Sequence, residues 1–405
     1  MKWLKRVMMA FGAIVGLLVV WAAVGAVLYS PEYVARVLTS RESSVDDYLH
    51  NFPLSTISAS RTPFFFEESL DEKGVQDSFE HALGVADFDA FLADHETQAF
   101  IVIKNDQILY ERYFNDTDRD SMVTSFSVAK SFDSALIGIA IEEGFIASAD
   151  HPITGYLPEL ALRDPGFDQI TIRDVLLMAS GLEYQELRWF LFNGDDPLTT
   201  YYLDQREITL ENTNIVDGPG QYFLYNKYHP QMLGMIIERT TGMSVTEYTQ
   251  TRLWDRIGME FDGAWAMDSE ASGFEKMEAG LNARAIDFAK FGRLFLNGGT
   301  WDGEPVVSND WVAESTSLDP ETHNLDYYGH SWGPAVYDDG HGYYKYMWYG
   351  KLRDGQPPDF AAEGDHGQFI YVSPANDVII VRNGTGYGIA WNEWTEAFYR
   401  VAGDL

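Results

Sequence analysis

Residues 127–144 read Ser127-Val-Ala-Lys-Ser-Phe-Asp-Ser-Ala-Leu-Ile-Gly-Ile-Ala-Ile-Glu-Glu-Gly144. Apolar residues recur through Ile141, which predicts a helix, and Gly144 marks its stop. Residues three apart share a helix face, so Lys130 stands beside Ser127 whatever the rest of the fold does. A hydroxyl is a poor nucleophile until a base takes its proton. Lysine, with an ordinary pKa of about 10.4, is such a base only where burial or neighbouring cations depress it. The amides of a helix start favour negative charge, so the Ser127 N–H can face a developing oxyanion. By itself Ser-x-x-Lys is a weak signal, and the competing reading is a helix start with a solvated lysine.

Outward from this helix lie two hairpin signatures. Ala99-Phe-Ile-Val-Ile103 and Ile108-Leu-Tyr-Glu-Arg-Tyr-Phe114 flank Lys104-Asn-Asp106. Far downstream, Gln368-Phe-Ile-Tyr-Val372 and Val378-Ile-Ile-Val-Arg382 flank Pro374-Ala-Asn-Asp377. Strands at both ends with helices between them predict an α/β (α+β) domain. Its N- and C-terminal strands form one antiparallel sheet, and a mostly helical part is inserted over about 150–330. Helices are expected over Val75–His95, Gln231–Thr241 before Gly242, Ala285–Leu296 before Asn297-Gly-Gly299, and Ala390–Val401. The chain is expected to divide into an N-terminal signal anchor or transmembrane helix (1–29), a connector (30–80) and a main domain (81–405).

Two further stretches carry candidate chemistry. Pro219-Gly-Gln-Tyr-Phe-Leu-Tyr225-Asn-Lys227 precedes a helix. A tyrosine there can present its phenol to a cleft and relay a proton beside a lysine; the bland reading is a buried amphipathic ring. Gly364-Asp-His-Gly-Gln368 opens a late strand. Taken in order, Ser127-x-x-Lys130, Pro219-Gly-x-x-Phe-x-Tyr225 and Gly364-Asp-His-Gly-Gln368 resemble the three motifs of the β-lactamase-like serine hydrolases. That superfamily includes class C β-lactamases, D-alanyl-D-alanine carboxypeptidases, family VIII esterases and 6-aminohexanoate-dimer hydrolases. Thr171-Ile-Arg-Asp-Val-Leu-Leu-Met-Ala-Ser-Gly-Leu182 and Ala279–Leu294 resemble supporting segments of the same family. The resemblance spans about 80–400, and its third motif is most similar to the 6-aminohexanoate-dimer hydrolase branch. Three ordered motifs are far more specific than one.

The resemblance implies a β-lactamase-like fold and an acyl-enzyme on Ser127, with Lys130 and Tyr225 exchanging protons. It implies the backbone N–H of Asp365 as a second oxyanion donor beside Ser127, with His366 lining the cleft and Tyr184 and Asn282 in reach of substrate. For His366 the competing reading is a polar residue starting a strand, and for Asn282 a helix N-cap. The expected substrate is a small ester or amide. The alternatives are a D-alanyl-D-alanine carboxypeptidase or β-lactamase, and a membrane-tethered binding protein that keeps the fold without the activity. One departure stands out. The second motif usually reads Tyr-x-Asn, whereas here Lys227 occupies the asparagine position. Its charge would depress the pKa of Lys130 or bind a substrate carboxylate.

Met1–Arg6 carries Lys2, Lys5 and Arg6, and no charged residue follows from Val7 to Tyr29. That run is long enough to span a bilayer and longer than the apolar core of most signal peptides. It reads as an uncleaved transmembrane anchor with the domain on the extracytoplasmic, periplasmic side. The alternative is a cleaved signal, with Ala22–Ala26 supplying small residues at the cut. A net charge of −34 repels phosphate backbones and argues against nucleic-acid binding. The absence of cysteine excludes disulfides and thiolate chemistry, and no histidine cluster has metal-ligand spacing. No metal or cofactor is implied.

Overall fold

The first hairpin forms as Thr97–Lys104 and Gln107–Tyr113, antiparallel, with Ile101 opposite Glu111. Its two-residue turn puts both Asn105 (φ 52°) and Asp106 (φ 60°) at positive φ. Such turns match the right-handed twist of their strands and favour these residue types. The computed structural model describes residues 2–40, 44–45, 47–188, 190–330 and 340–405.

Eight strands make the main sheet. In spatial order they are Gly342–Lys345, Trp348–Arg353, Gln356–Gly364, Gln368–Ser373, Val378–Gly384, Thr97–Lys104, Gln107–Tyr113 and Glu67–Glu68. Neighbours are antiparallel except at the last edge, where Glu67–Glu68 runs parallel to Gln107–Ile108. The N- and C-terminal halves meet where Val381 pairs with Ile101. Alternation along the central strands separates two cores. Phe100, Val102, Phe369, Tyr371 and Ile380 pack with Phe79 and Phe398, from the helices Glu72–Leu83 and Trp391–Asp404. Ile101, Ile103, Ile370, Val372 and Val381 face the larger core, with the helices Ala129–Glu142, Tyr228–Thr241 and Ala285–Leu296.

One departure from the expected elements has local causes. The helix expected over Val75–His95 is two, Glu72–Leu83 and Phe88–Asp94. Gly84 ends the first in the left-handed region at φ 70°, and the Asp87 carboxylate caps the second by accepting from the Ala90 N–H at 3.0 Å. Within the 30–80 segment, Leu54–Ile57 is a strand. It forms the edge of a second sheet ordered Leu54–Ile57, Gly263–Ala266, Leu281–Ala283, Val123–Thr124. That sheet leads the chain into Ser125, whose N–H donates to the Leu281 carbonyl at 2.8 Å.

The N-terminal helix, Lys2–Leu28, contains a stretch from Trp3 to Leu28, with an 18-residue window of mean hydropathy 2.5, long and apolar enough to cross a membrane. Its C-terminal turns lie against the domain. Trp21 meets Phe190 and Phe192 at ring distances of 5.3 and 5.5 Å.

Candidate active site

A single turn of 3-10 helix, Phe126–Val128, leads into the helix Ala129–Glu142. Every residue from Ala129 to Ala140 is buried, as a helix apolar on all sides requires. Ser127 alone, among the buried residues from Val123 to Ala140, retains partial exposure. Side chains on a helix lean toward its N-terminus. Lys130 therefore points back, and its Nζ donates to Ser127 Oγ at 2.8 Å and to the Glu278 carbonyl at 2.5 Å. Burial, helped by the nearby Lys227 ammonium, pushes the Lys130 amine down to about 7, against the opposing pull of Glu278 and Asp133.

Tyr225 sits on an extended segment, fixed by Leu224 N–H donating to Met178 O at 2.8 Å and Phe223 N–H donating to Tyr327 O at 2.9 Å. Its ring lies 5.0 Å from Lys130 Nζ, and its phenol hydrogen-bonds Ser127. Burial holds that phenol well above the usual tyrosine range, with the Ser127 contact and Lys227 opposing. A lowered amine and a raised phenol thus flank one hydroxyl, with their pKa values driven apart by their surroundings.

Asn226 does not take the neighbouring role. Its Oδ1 accepts from the Tyr228 N–H at 2.9 Å, so the side chain turns back onto the start of the next helix. Lys227 faces the cavity instead, ion-paired with Asp196. Burial lowers the Lys227 amine, but the Asp196 carboxylate and Glu278 outweigh it and keep the amine above its ordinary value.

The third motif closes the site. A β-carbon on Gly364 would lie 2.4 Å from the Ser125 carbonyl oxygen and 3.0 Å from the Ser127 nitrogen, so only glycine permits this approach. Gln368, fully buried, holds the turn. Its Nε2 donates to the carbonyls of Asp365 (3.2 Å), His366 (3.3 Å) and Gly384 (2.7 Å). Arg382 Nη1 donates to the Gly367 carbonyl at 2.7 Å. His366 adopts the left-handed region (φ 59°) and stacks on Phe126, which is left-handed too (φ 44°).

Ser127, Tyr225, Lys227, Tyr184 and Asp365 line one cavity of about 360 Å³, together with Tyr48, Phe126, Glu186, Leu187, Asp196, Glu278 and Ala279. Lys130 stands behind Ser127, and His366 backs Phe126. Tyr184 contacts Thr199 Oγ1 at 3.2 Å and donates to Asp196 at 3.4 Å. Asn282 is not brought to the cavity. It is a buried strand residue rather than a helix cap, and donates to the Tyr48 and Gly280 carbonyls at 3.1 and 3.3 Å. Glu278 and Asp196 belong to the site without any motif to mark them. Glu278 offers Lys130 its backbone carbonyl, which has no side-chain signature, and its carboxylate charge acts on Lys130 and Lys227, while Asp196 lies far from its partner in sequence. A second cavity of about 240 Å³, around Glu363 and Trp391, contains no serine. Among the described residues no cluster of His, Cys, Asp or Glu could hold a metal.

Residues 86–389 match the family model described as Beta-lactamase. The 6-aminohexanoate-dimer hydrolase of Paenarthrobacter ureafaciens is 28% identical over 316 residues, covering 74% of this chain and 76% of that protein. A solved chain from Bacillus anthracis, provisionally assigned as a 6-aminohexanoate-dimer hydrolase, superposes with TM-score 0.73 at 24% identity, over 88% of this chain and 92% of its own. A class C beta-lactamase superposes with TM-score 0.60 at 16% identity, over 84% and 99%. The two structural likenesses establish the fold alone, and the family match covers most of the chain: this protein belongs to the beta-lactamase family of serine hydrolases.

Proposed function

We propose that the protein cleaves an ester or amide bond of a small substrate through an acyl-enzyme on Ser127. The observation that carries this reading is the 2.8 Å contact between Ser127 Oγ and a buried lysine whose pKa lies near neutrality. Neutral Lys130 takes the Ser127 proton as Oγ attacks the carbonyl. The N–H groups of Ser127 and Asp365 stabilise the oxyanion. Tyr225, protonated at rest, passes a proton to the leaving alkoxide or amine. Water then attacks the ester of Ser127 by the reverse proton route and releases the acid.

Lys227 and Asp196 are the proposed specificity elements, with Tyr184 beside them. Lys227 in place of the usual asparagine speaks against β-lactam recognition as the principal task. The N-terminal helix is proposed to anchor the domain, with Lys2, Lys5 and Arg6 left in the cytoplasm.

A fluorophosphonate probe tests the reading. Intact mass and peptide mapping are expected to place one adduct on Ser127, absent from Lys130→Ala. A folded protein that takes no adduct would overturn it.

A further inference from the structure

Residues 3–20 of the N-terminal helix are all exposed, and beyond Lys5 and Arg6 the uncharged part of that run is 7–20. At 1.5 Å per residue those residues make about 21 Å of apolar helix, shorter than the ~30 Å hydrocarbon layer of a bilayer, so a spanning helix draws its seated turns and the domain against the lipid. From Trp21 onward the helix is seated on the domain. Gly25 is buried, and a β-carbon there would fall 2.5 Å from the Phe192 ring. The Tyr33 hydroxyl, just after the helix, donates to the Phe192 carbonyl at 2.8 Å. The contact therefore requires a glycine, and it leaves no slack between the exposed apolar length and the domain.

The surface that receives the helix is also a wall of the active site. Phe190 and Phe192 belong to the loop that begins at Tyr184, and Tyr184, Glu186 and Leu187 of that loop line the cavity. Leu187 is 73% exposed while lining it, an apolar side chain at the mouth. The loop's other end is pinned. The buried Asp195 carboxylate accepts from the Gln185 N–H at 2.6 Å, Tyr228 Oη at 3.1 Å and Asn212 Nδ2 at 3.0 Å. One apolar cluster runs from Trp21 and Ala22 through Phe190, Phe192 and Tyr33 to Tyr48 and Phe126, and the last two line the cavity.

Building on the proposed hydrolase reading, we infer that the cavity opens at the membrane surface and takes its substrate from the bilayer: an amphiphile whose acyl chain enters past Leu187. Its ester or amide carbonyl reaches Ser127, and its polar part meets the Lys227–Asp196 pair. A chain held in the lipid phase presents its carbonyl at an effective concentration that a water-borne ester does not reach.

The test uses the full chain in phosphatidylcholine vesicles, with 4-nitrophenyl acetate and 4-nitrophenyl dodecanoate. At fixed bulk dodecanoate, raising phospholipid tenfold is expected to cut its rate about tenfold, because surface fraction governs encounter. The acetate rate is expected to stay constant. Gly25→Leu, which unseats the helix from Phe192, is expected to lower the dodecanoate rate about tenfold and leave acetate unchanged. Trp21→Ala serves as the milder variant should Gly25→Leu fail to accumulate, and Ser127 labelling reports that each variant is folded. If acetate hydrolysis and labelling persist while dodecanoate turnover ignores either lipid dilution or the helix variants, the membrane inference falls and the hydrolase stands. If neither ester is cleaved and Ser127 takes no label, both fall.

Discussion

Phe126 and His366 stack face to face, with ring centroids 4.6 Å apart and planes 13° from parallel. One immediately precedes Ser127 and the other immediately follows Asp365, and both hold left-handed backbone at φ 44° and 59°. Non-glycine residues in that region cost about 1–3 kcal/mol each. The stack, worth about 0.5–1.5 kcal/mol, offsets part of this and ties together the two turns that carry the proposed oxyanion donors. His366→Ala is expected to lower kcat about tenfold, less than loss of a donor itself would, with KM little changed. The labelling rate of Ser127 should fall in parallel. A kcat equal to wild type would remove the stack from the machinery.

The pH profile should follow Lys130. Its protonated form cannot accept the Ser127 proton, so kcat/KM is expected to rise with pH and level off above about 7. At pH 6 about a tenth of the plateau should remain, given one titrating base of that pKa. Lys227 depresses the Lys130 pKa and Asp196 raises it. Lys227→Met should therefore move the acid limb to higher pH, and Asp196→Asn to lower pH. Shifts of the same sign in both variants would contradict this electrostatic account.

Removing the Lys130 charge should exchange activity for stability. The folded-state pKa, about 7, lies below the unfolded value. Below pH 7 both states bind the proton and the folded state bears the full cost of a buried ammonium. Between about 7 and about 10.4 the unfolded chain holds more protons, so wild-type stability rises with pH and the cost disappears. Lys130→Met is expected to be inactive yet more stable than wild type at pH 6, by on the order of 2 kcal/mol after the lost hydrogen bonds are counted. The gain should shrink toward pH 10. Thermal melts at the two pH values check the sign.

Gly364→Ala should be far more damaging than its size suggests. The added carbon would press on the Ser125 carbonyl and the Ser127 nitrogen, and both are backbone atoms that cannot swing aside. A displacement near 1 Å at a reacting centre costs about 100-fold, and a loss of that order in kcat is expected, with a normal far-UV circular dichroism spectrum. Activity within a few-fold of wild type would show that the turn can yield.

What could be read from the chain divides by distance along it. Lys130 beside Ser127 is a local relation fixed by helix geometry, and it survives any tertiary arrangement. Both hairpins were legible because strand alternation and turn chemistry are also local. The Gly364–Gln368 turn was found by resemblance, and the structure supplies its physical content: a glycine for close approach and a glutamine spanning three carbonyls. That Asn282 sits on a strand away from the cavity lining was not legible, because nothing in its neighbours sets which way a short strand faces. Glu278 escaped because the carbonyl it offers Lys130 carries no residue preference and it reaches the site from 148 residues away in sequence. The pairing of Lys227 with Asp196 depends on how the helix Asp195–Tyr201 is seated against the Tyr225–Lys227 segment, which no pattern in either segment encodes.

The sheet is assembled from the two ends of the domain, and this has a consequence in time. A ribosome releases Ser127 and Lys130 long before it reaches Asp365, and at ordinary elongation speeds the interval is on the order of tens of seconds. Until Gln368–Ser373 and Val378–Gly384 slide in beside Thr97–Lys104, Ser127 and Lys130 stand side by side without the full burial that depresses the lysine and without half of the proposed oxyanion cradle. The chain is therefore born unarmed: any emerging fragment that stops short of its last strands carries the reactive pair without the means to use it.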